Sequence, residues 1–215
     1  MKRKESRQVD YEVELDKHIS KWCDRELHGL DVLHDRLHSP AMDKTMIAIT
    51  WTGNLGLIWI LAAVVMLLLF PQRKESICLL IAMLLSVSIG NVALKNSVRR
   101  ARPFFHKEYK LLIKRPWDYS FPSGHTLASF ASATVFAQMD WRAGIVAYCY
   151  ASLIALSRLY LRVHFFTDVF FSIKYFGIHI NHLGATAIQV PLLHNHYLLH
   201  IVHHIVQIEI LAKIT

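Results

Sequence analysis

Three separate stretches carry residue types suited to holding and attacking an anion: KNSVRRARP (95–103), PSGH (122–125) and SRLYLRVHFFTD (157–168). In the first, Lys95 and Arg102 stand seven apart. That is about two helical turns, so both cations point to one side if the helix runs on through them. Lysine supplies a point charge, and arginine a planar fork that matches phosphate oxygens. In the second, Pro122 suits a first helical turn, Gly124 permits close backbone approach and Ser123 offers a hydroxyl. Free N–H groups at a helix start make a seat for an anion, and His125 just inside it is placed to protonate a leaving group. In the third, His164 and Asp168 are four apart. On a helix this stacks the carboxylate against one ring nitrogen and leaves the other's lone pair free to attack phosphorus. Arg158 would hold the same phosphate.

Each cluster alone also has an ordinary explanation. Cations at a helix end snorkel to headgroups, a Pro-Ser-Gly turn caps a helix, and His-x3-Asp is a common surface pair. Arg99, Arg100 and Arg162 are assigned to that ordinary role as interfacial cations. The chemistry requires the three clusters to meet, which depends on the elements that carry them.

Those elements are apolar. The chain has 215 residues, 53% of them hydrophobic, with a formal net charge of +8 and a mean hydropathy of +0.30. From Met46 to Phe70 there is no charge, a run of roughly 37 Å as helix against a hydrocarbon core of about 30 Å. Ile77–Leu94, Gly124–Met139 and Ala143–Leu156 are further uncharged blocks. The pattern predicts an all-α, multi-pass transmembrane bundle of about five spans. Polar turns stand at Pro71–Ser76 and at Asp140–Arg142. Before the first span, Leu15, Ile19, Trp22, Cys23, Leu27, Leu30, Leu33 and Leu37 recur at helical spacing. They mark an amphipathic helix, broken near Gly29, that lies in the interface or packs on the spans. The organisation read is 1–44 interfacial segment, 45–180 core and 181–215 His-rich tail. Following the spans back and forth brings Lys95–Arg102, Ser123–His125 and Arg158–Asp168 to one membrane face.

Composition narrows the partners. The positive balance fits anionic headgroups or a phosphate-bearing substrate, while nucleic acid is excluded for want of a separate basic patch with interleaved aromatics. MKRKESRQVDYEVELD lacks the apolar core of a signal peptide, so export of the whole chain is not expected. Cys23, Cys78 and Cys149 read as small buried side chains with no disulfide framework. Phe104, Phe105, Trp117, Tyr119 and Phe121 line an apolar entrance or an interfacial belt.

In combination, Lys-x6-Arg-Pro, Pro-Ser-Gly-His and Ser-Arg-x5-His-x3-Asp stand complete and in order. This set resembles the membrane-bound type 2 phosphatidic acid phosphatase (PAP2) family, whose active-site architecture is shared with vanadium haloperoxidases. The resemblance covers roughly residues 40–170. It implies metal-independent hydrolysis, with no cofactor, of a phosphate monoester or pyrophosphate on a lipid. The short chain resembles undecaprenyl-diphosphate phosphatases, with phosphatidate and phosphatidylglycerol phosphate as rival substrates. A non-catalytic protein binding anionic lipids is the alternative of another class. By the resemblance, His164 is the nucleophile that forms a phosphohistidine, Asp168 orients it and His125 protonates the leaving oxygen. Lys95, Arg102, Arg158, Ser123 and Gly124 hold the phosphate oxygens, and no metal is bound.

Past Asp168 the chain departs from the family's Gly/Ala-rich final span, reading VFFSIKYFGIHINHLG before a tail with His194, His196, His200, His203 and His204. A last helix over about Phe165–Ile180 is expected to be short. Lys and Arg counts on the two faces argue for a cytoplasmic site. The resemblance to bacterial members argues for an outward-facing site in the plasma membrane, and the outward reading is adopted.

Overall fold

Gly53, Asn54 and Gly56 interrupt the longest apolar run, and the chain bends where they stand. In the computed structural model, which describes residues 21–69 and 73–174, that run is two helices. Helix α1 covers 21–37 of the described residues. Ser39 caps α2 (Pro40–Thr52), its hydroxyl accepting from the Met42 N–H at 3.1 Å with Pro40 in the first turn. Leu55 (φ 52°) and Gly56 (φ 70°) then take left-handed backbone, which ends the helical ladder. The next helix, α3 (Leu57–Leu69), leaves at 49°. The single span expected over Met46–Phe70 is therefore a broken one.

The second apolar block is α4 (Arg73–Leu85), which runs through a π-helical stretch (Ser86–Leu94) into α5 (Lys95–Val98). The wider π turn changes the phase of the residues after it, and Lys95 ends up buried. Arg99 adopts left-handed backbone (φ 53°) and stops the helix. Lys95 and Arg102 thus do not share one continuous helical face as the seven-residue spacing suggested. A short turn of helix, α6 (Pro103–His106), precedes the loop 107–121. Then come α7 (Gly124–Met139) and α8 (Trp141–Tyr160), joined by Asp140, whose carboxylate caps α8 by accepting from the N–H groups of Arg142 and Ala143. Helix α9 covers 166–174.

All regular structure among the described residues is helical. Lys74–His106 and Trp141–Tyr160 are long and apolar enough to cross a membrane, and α2 with α3 makes a third if the bent pair is one span. At 16 residues, or about 24 Å, α7 is shorter than a hydrocarbon core. It sits centrally, buried from Thr126 to Val135. The packing is inverted relative to a soluble bundle: α3 exposes Leu57, Leu61, Leu68 and Leu69, and α4 exposes Ile77, Ile81 and Leu84, while Ser129, Ser132 and Thr134 face inward. Hydroxyls then serve as interhelical links, from Trp59 Nε1 to Ser129 (3.0 Å), between Thr134 and Tyr148 (2.8 Å) and between Thr52 and Tyr150 (2.6 Å). A Cβ at Gly144 would lie 2.5 Å from Ala137 Cα, so α7 and α8 touch backbone to backbone there.

Helix α1 runs unbroken through Gly29, contrary to the expected break. The missing side chain instead admits Phe166, whose ring carbon is 3.0 Å from where a Cβ would stand. Leu27 and Leu30 are buried in the main core, so α1 packs on the bundle. Cys149 is exposed on the outer face of α8 beside Ile145 and Val146, and Cys23 and Cys78 are half-buried. The reading of all three as buried is corrected: each lies on a helix face turned partly or wholly away from the core. The 44/45 division falls inside α2. Leu15, Ile19, the start of the Pro71–Ser76 turn, residues 175–180 and the His-rich tail lie outside the described residues.

Candidate active site

Two cations seven residues apart are drawn together by an acid sixteen positions beyond the second. Asp118 forms a short ion pair with Lys95 Nζ, and its other oxygen accepts from Arg102 Nη2 at 2.6 Å. Its backbone carbonyl accepts from Arg102 Nε at 2.8 Å. Lys95 and Arg102 are only 5% and 2% exposed, and burying such charges is strongly unfavourable unless they are paired. Burial works to raise the Asp118 carboxyl, but the hydrogen bond from Lys95 and the charge of Arg102 hold it down, at about 2.

His164 is not on a helix. Helix α8 stops before Arg162, which takes φ 57°, and residues 161–164 form a turn and bend. Arg102 Nη1 donates to the Val163 carbonyl at 2.6 Å and reaches His164 Nε2 at 3.1 Å. A guanidinium only donates, so Nε2 carries the lone pair and the ring proton sits on Nδ1. Nδ1 lies 3.5 Å from Asp168 Oδ2, at the outer limit of contact. Asp168 accepts from the Phe165 N–H at 2.8 Å, the reach-back of a capping residue three positions into a helix. The four-residue spacing thus places a loop histidine against the first turn of α9, not two side chains on one helix face. Burial first, then the charges of Arg102, Arg158 and Lys95, hold the His164 imidazole well below the usual histidine range.

Asp168 is fully buried and heavily coordinated. Ser120 Oγ donates to Oδ2 at 2.5 Å and Arg100 Nη1 to Oδ1 at 2.7 Å. Arg100 also donates to Thr167 Oγ1 and to Glu26 of α1, each at 2.6 Å, and stacks over Phe165 at 4.1 Å. Its assignment as an interfacial cation is corrected: it pairs with the buried Asp168 and the half-buried Glu26. Arg162 likewise is no free interfacial cation. It pairs with Asp35 (3.3 Å) and Asp31 (3.6 Å) and lies over Tyr109 at 4.7 Å.

The bent first span supplies two further contacts. Thr50 accepts from Arg158 Nη1 at 2.7 Å, and Arg158 Nε is buried with no hydrogen-bond partner among the described residues. Asn54 Oδ1 accepts from His125 Nε2 at 3.0 Å. Ser123 is the N-cap of α7, so Pro122 lies before the helix rather than in its first turn. The Ser123 N–H donates to Ser172 at 3.0 Å and its hydroxyl is shared with Thr126 at 2.9 Å. A Cβ on Gly124 would come within 2.3 Å of Asn91 Oδ1, so glycine is what lets the π-helical stretch approach the start of α7.

The three selected cations and His164 therefore converge, while Ser123 and Gly124 neighbour Ser172, Thr126 and Asn91. Arg102 touches His164, and the charges of Lys95, Arg102, Arg158 and His164 act on one another across the cluster. Sequence reading missed Asn54, Thr50, Glu26, Arg100, Asp118 and Ser120. Two of these left a signal: Asn54 is polar inside an uncharged run, and Asp118 is one of only two acids in the basic loop, with Glu108.

Comparison with known proteins places the chain. The PAP2 superfamily profile matches residues 75–185. The undecaprenyl-diphosphatase of Sulfolobus acidocaldarius is 33% identical over 117 residues, 52% of this chain and 55% of that protein. The chain thus spans about half the length of the curated relative it matches. Two crystal structures share the fold. One is the first transmembrane PAP2 type phosphatidylglycerolphosphate phosphatase from Bacillus subtilis, with TM-score 0.67, 18% identity, and coverage of 86% of this chain and 96% of that one. The other is LpxE of Aquifex aeolicus, with TM-score 0.60, 23% identity and coverage of 71% and 90%. With three motifs in order on a helical membrane scaffold, and a profile match over more than half its length, the chain belongs to the PAP2 superfamily.

Proposed function

We propose that this protein is an integral-membrane lipid phosphatase acting through His164, with undecaprenyl diphosphate as its first substrate. The observation that carries the reading is the state of that imidazole. It is buried, with Nε2 3.1 Å from Arg102 Nη1 and Nδ1 3.5 Å from Asp168 Oδ2, an arrangement that favours the lone pair on Nε2. Nε2 attacks phosphorus, the bond to the leaving oxygen breaks, and His125 supplies the proton that oxygen takes up. Water then cleaves the phosphohistidine. Lys95, Arg102 and Arg158, with the start of α7 at Ser123 and Gly124, take the phosphate oxygens. Cations and amides preorganised in this way stabilise the charge of phosphoryl transfer, so the reaction runs without a metal. The similarity to an undecaprenyl-diphosphatase supports the substrate, with phosphatidate and phosphatidylglycerol phosphate as alternatives.

The test is phosphate release by purified protein from a lipid diphosphate in EDTA, beside the two rival lipids on the same preparation. Turnover in chelator, inhibition by vanadate and acid-labile phosphate bound to protein are expected. Full turnover in His164→Ala would overturn the mechanism. Phosphate release that needs added metal would overturn the metal-free reading, and lipid binding with no turnover would support a non-catalytic lipid-binding protein. The site is proposed to face outward from the plasma membrane. A reporter fused after Lys74, on the opposite face, should then report from the cytoplasm, and an external signal reverses the orientation.

A further inference from the structure

Four contacts engage all three nitrogens of the Arg102 guanidinium. Its Nε donates to the Asp118 carbonyl, Nη2 to the Asp118 carboxylate, and Nη1 to Val163 O and His164 Nε2. Lys95, itself buried, is paired with the same carboxylate. A phosphate taking these two cations must find an anion already seated on both.

We infer that the Asp118 carboxylate is a built-in stand-in for substrate phosphate, holding Lys95 and Arg102 in place in the resting site and yielding them when the anion arrives. This rests on the phosphatase reading. The two carboxylate oxygens bridge Lys95 Nζ and Arg102 Nη2, and two oxygens of a phosphate can make the same pair of charge-assisted contacts, so one can replace the other without moving the cations. The exit is also present. The Asp118 side chain is 33% exposed, and neighbouring Trp117 on the same loop is 98% exposed. The bond from Arg102 Nε goes to the Asp118 backbone, so the side chain can swing to solvent while the loop stays anchored. Ser120 holds the loop from the other side, through its N–H to the Arg100 carbonyl at 2.9 Å and its hydroxyl to Asp168. Two buried cations are thereby never left unpaired, and entry of an anion is a competition with a tethered carboxylate. Such a device sets affinity for the phosphate group and disfavours weakly charged headgroups.

The experiment is thermal unfolding of the full chain in detergent, titrated with inorganic phosphate and with inorganic pyrophosphate. Wild type, Asp118→Asn and Asp118→Ala are compared with Asp31→Asn, which removes a charge from the Lys107–Arg162 cluster away from the cradle. Without anion the Asp118 variants should melt below wild type. With anion they should recover, with apparent affinity tighter than wild type on the order of tenfold, the removal of one nearby like charge in a partly screened site. Asp31→Asn should bind as wild type does. Equal or weaker anion binding by both Asp118 variants, with wild type still stabilised by phosphate, overturns the stand-in and leaves the phosphatase reading intact. No stabilisation of any form by either anion overturns both.

Discussion

Asn54, at the break of the first span, accepts a 3.0 Å hydrogen bond from His125 Nε2 at the start of α7. Next to it, a Cβ on Gly53 would stand 3.0 Å from His125 Cδ2. The bend is therefore what fixes the ring that is proposed to protonate the leaving group. Asn54→Ala should lower kcat by up to about 100-fold, the order of loss for a catalytic group misplaced by about 1 Å, with KM for a lipid diphosphate changed much less. A parallel rise in KM, or an unchanged kcat, would remove Asn54 from this role.

Arg100, which the motif spacing did not single out, joins Glu26 of α1 to Thr167 and Asp168 of α9. Truncation to methionine removes the partner shared by the buried Asp168 and the half-buried Glu26, a loss of roughly 3–5 kcal/mol, chiefly from the buried carboxylate. Lysine should rescue only partly, because one ammonium cannot reproduce a planar fork that reaches Thr167, Asp168 and Glu26 together. Thermal unfolding of Arg100→Met, Arg100→Lys and the double variant Glu26→Gln/Arg100→Met checks this. The double variant should recover part of the single loss.

Acid should act in two steps. His164 is held below its ordinary value of 6.5 in the fold, whereas the unfolded chain takes the proton near that value. Its contribution to stability is complete above about 6.5 and is lost progressively as pH falls toward the folded value. Asp118, depressed from 3.8 to about 2, adds a second loss that begins only below about 3.8. The proposed nucleophile stays unprotonated over the same upper window, so the acid limb of kcat/KM assigned to His164 should lie below pH 6.5. His164→Gln should flatten the stability profile between pH 7.5 and 5, chosen as roughly one unit or more either side of the ordinary value. A profile that keeps its slope in that variant assigns it to another group.

Gly144→Ala should destabilise by about 1–3 kcal/mol, as overpacking does, although alanine is the better helix former. The obstacle is the Ala137 backbone, 2.5 Å from the new methyl. Gly29→Ala, which meets only the edge of the Phe166 ring at 3.0 Å, should cost less. Melting temperatures of the two variants give the comparison.

The sequence alone determined the class of scaffold and the family. Uncharged apolar runs can only be satisfied as helices in lipid. Three motifs on the ends of those runs name Lys95, Arg102, His125, Arg158, His164 and Asp168, because residue type and order survive in one dimension. What it could not fix was how those groups are held. The break at Gly53–Gly56 hands Asn54 to His125 and Thr50 to Arg158. The π-helical stretch sets the phase of Lys95, the turn at Arg162 takes His164 off the helix, and α1 reaches in with Glu26. The physical reason is that a buried charge must find its partner in space. Asp118, Arg100 and Glu26 satisfy that demand from positions whose distance along the chain carries no information about it.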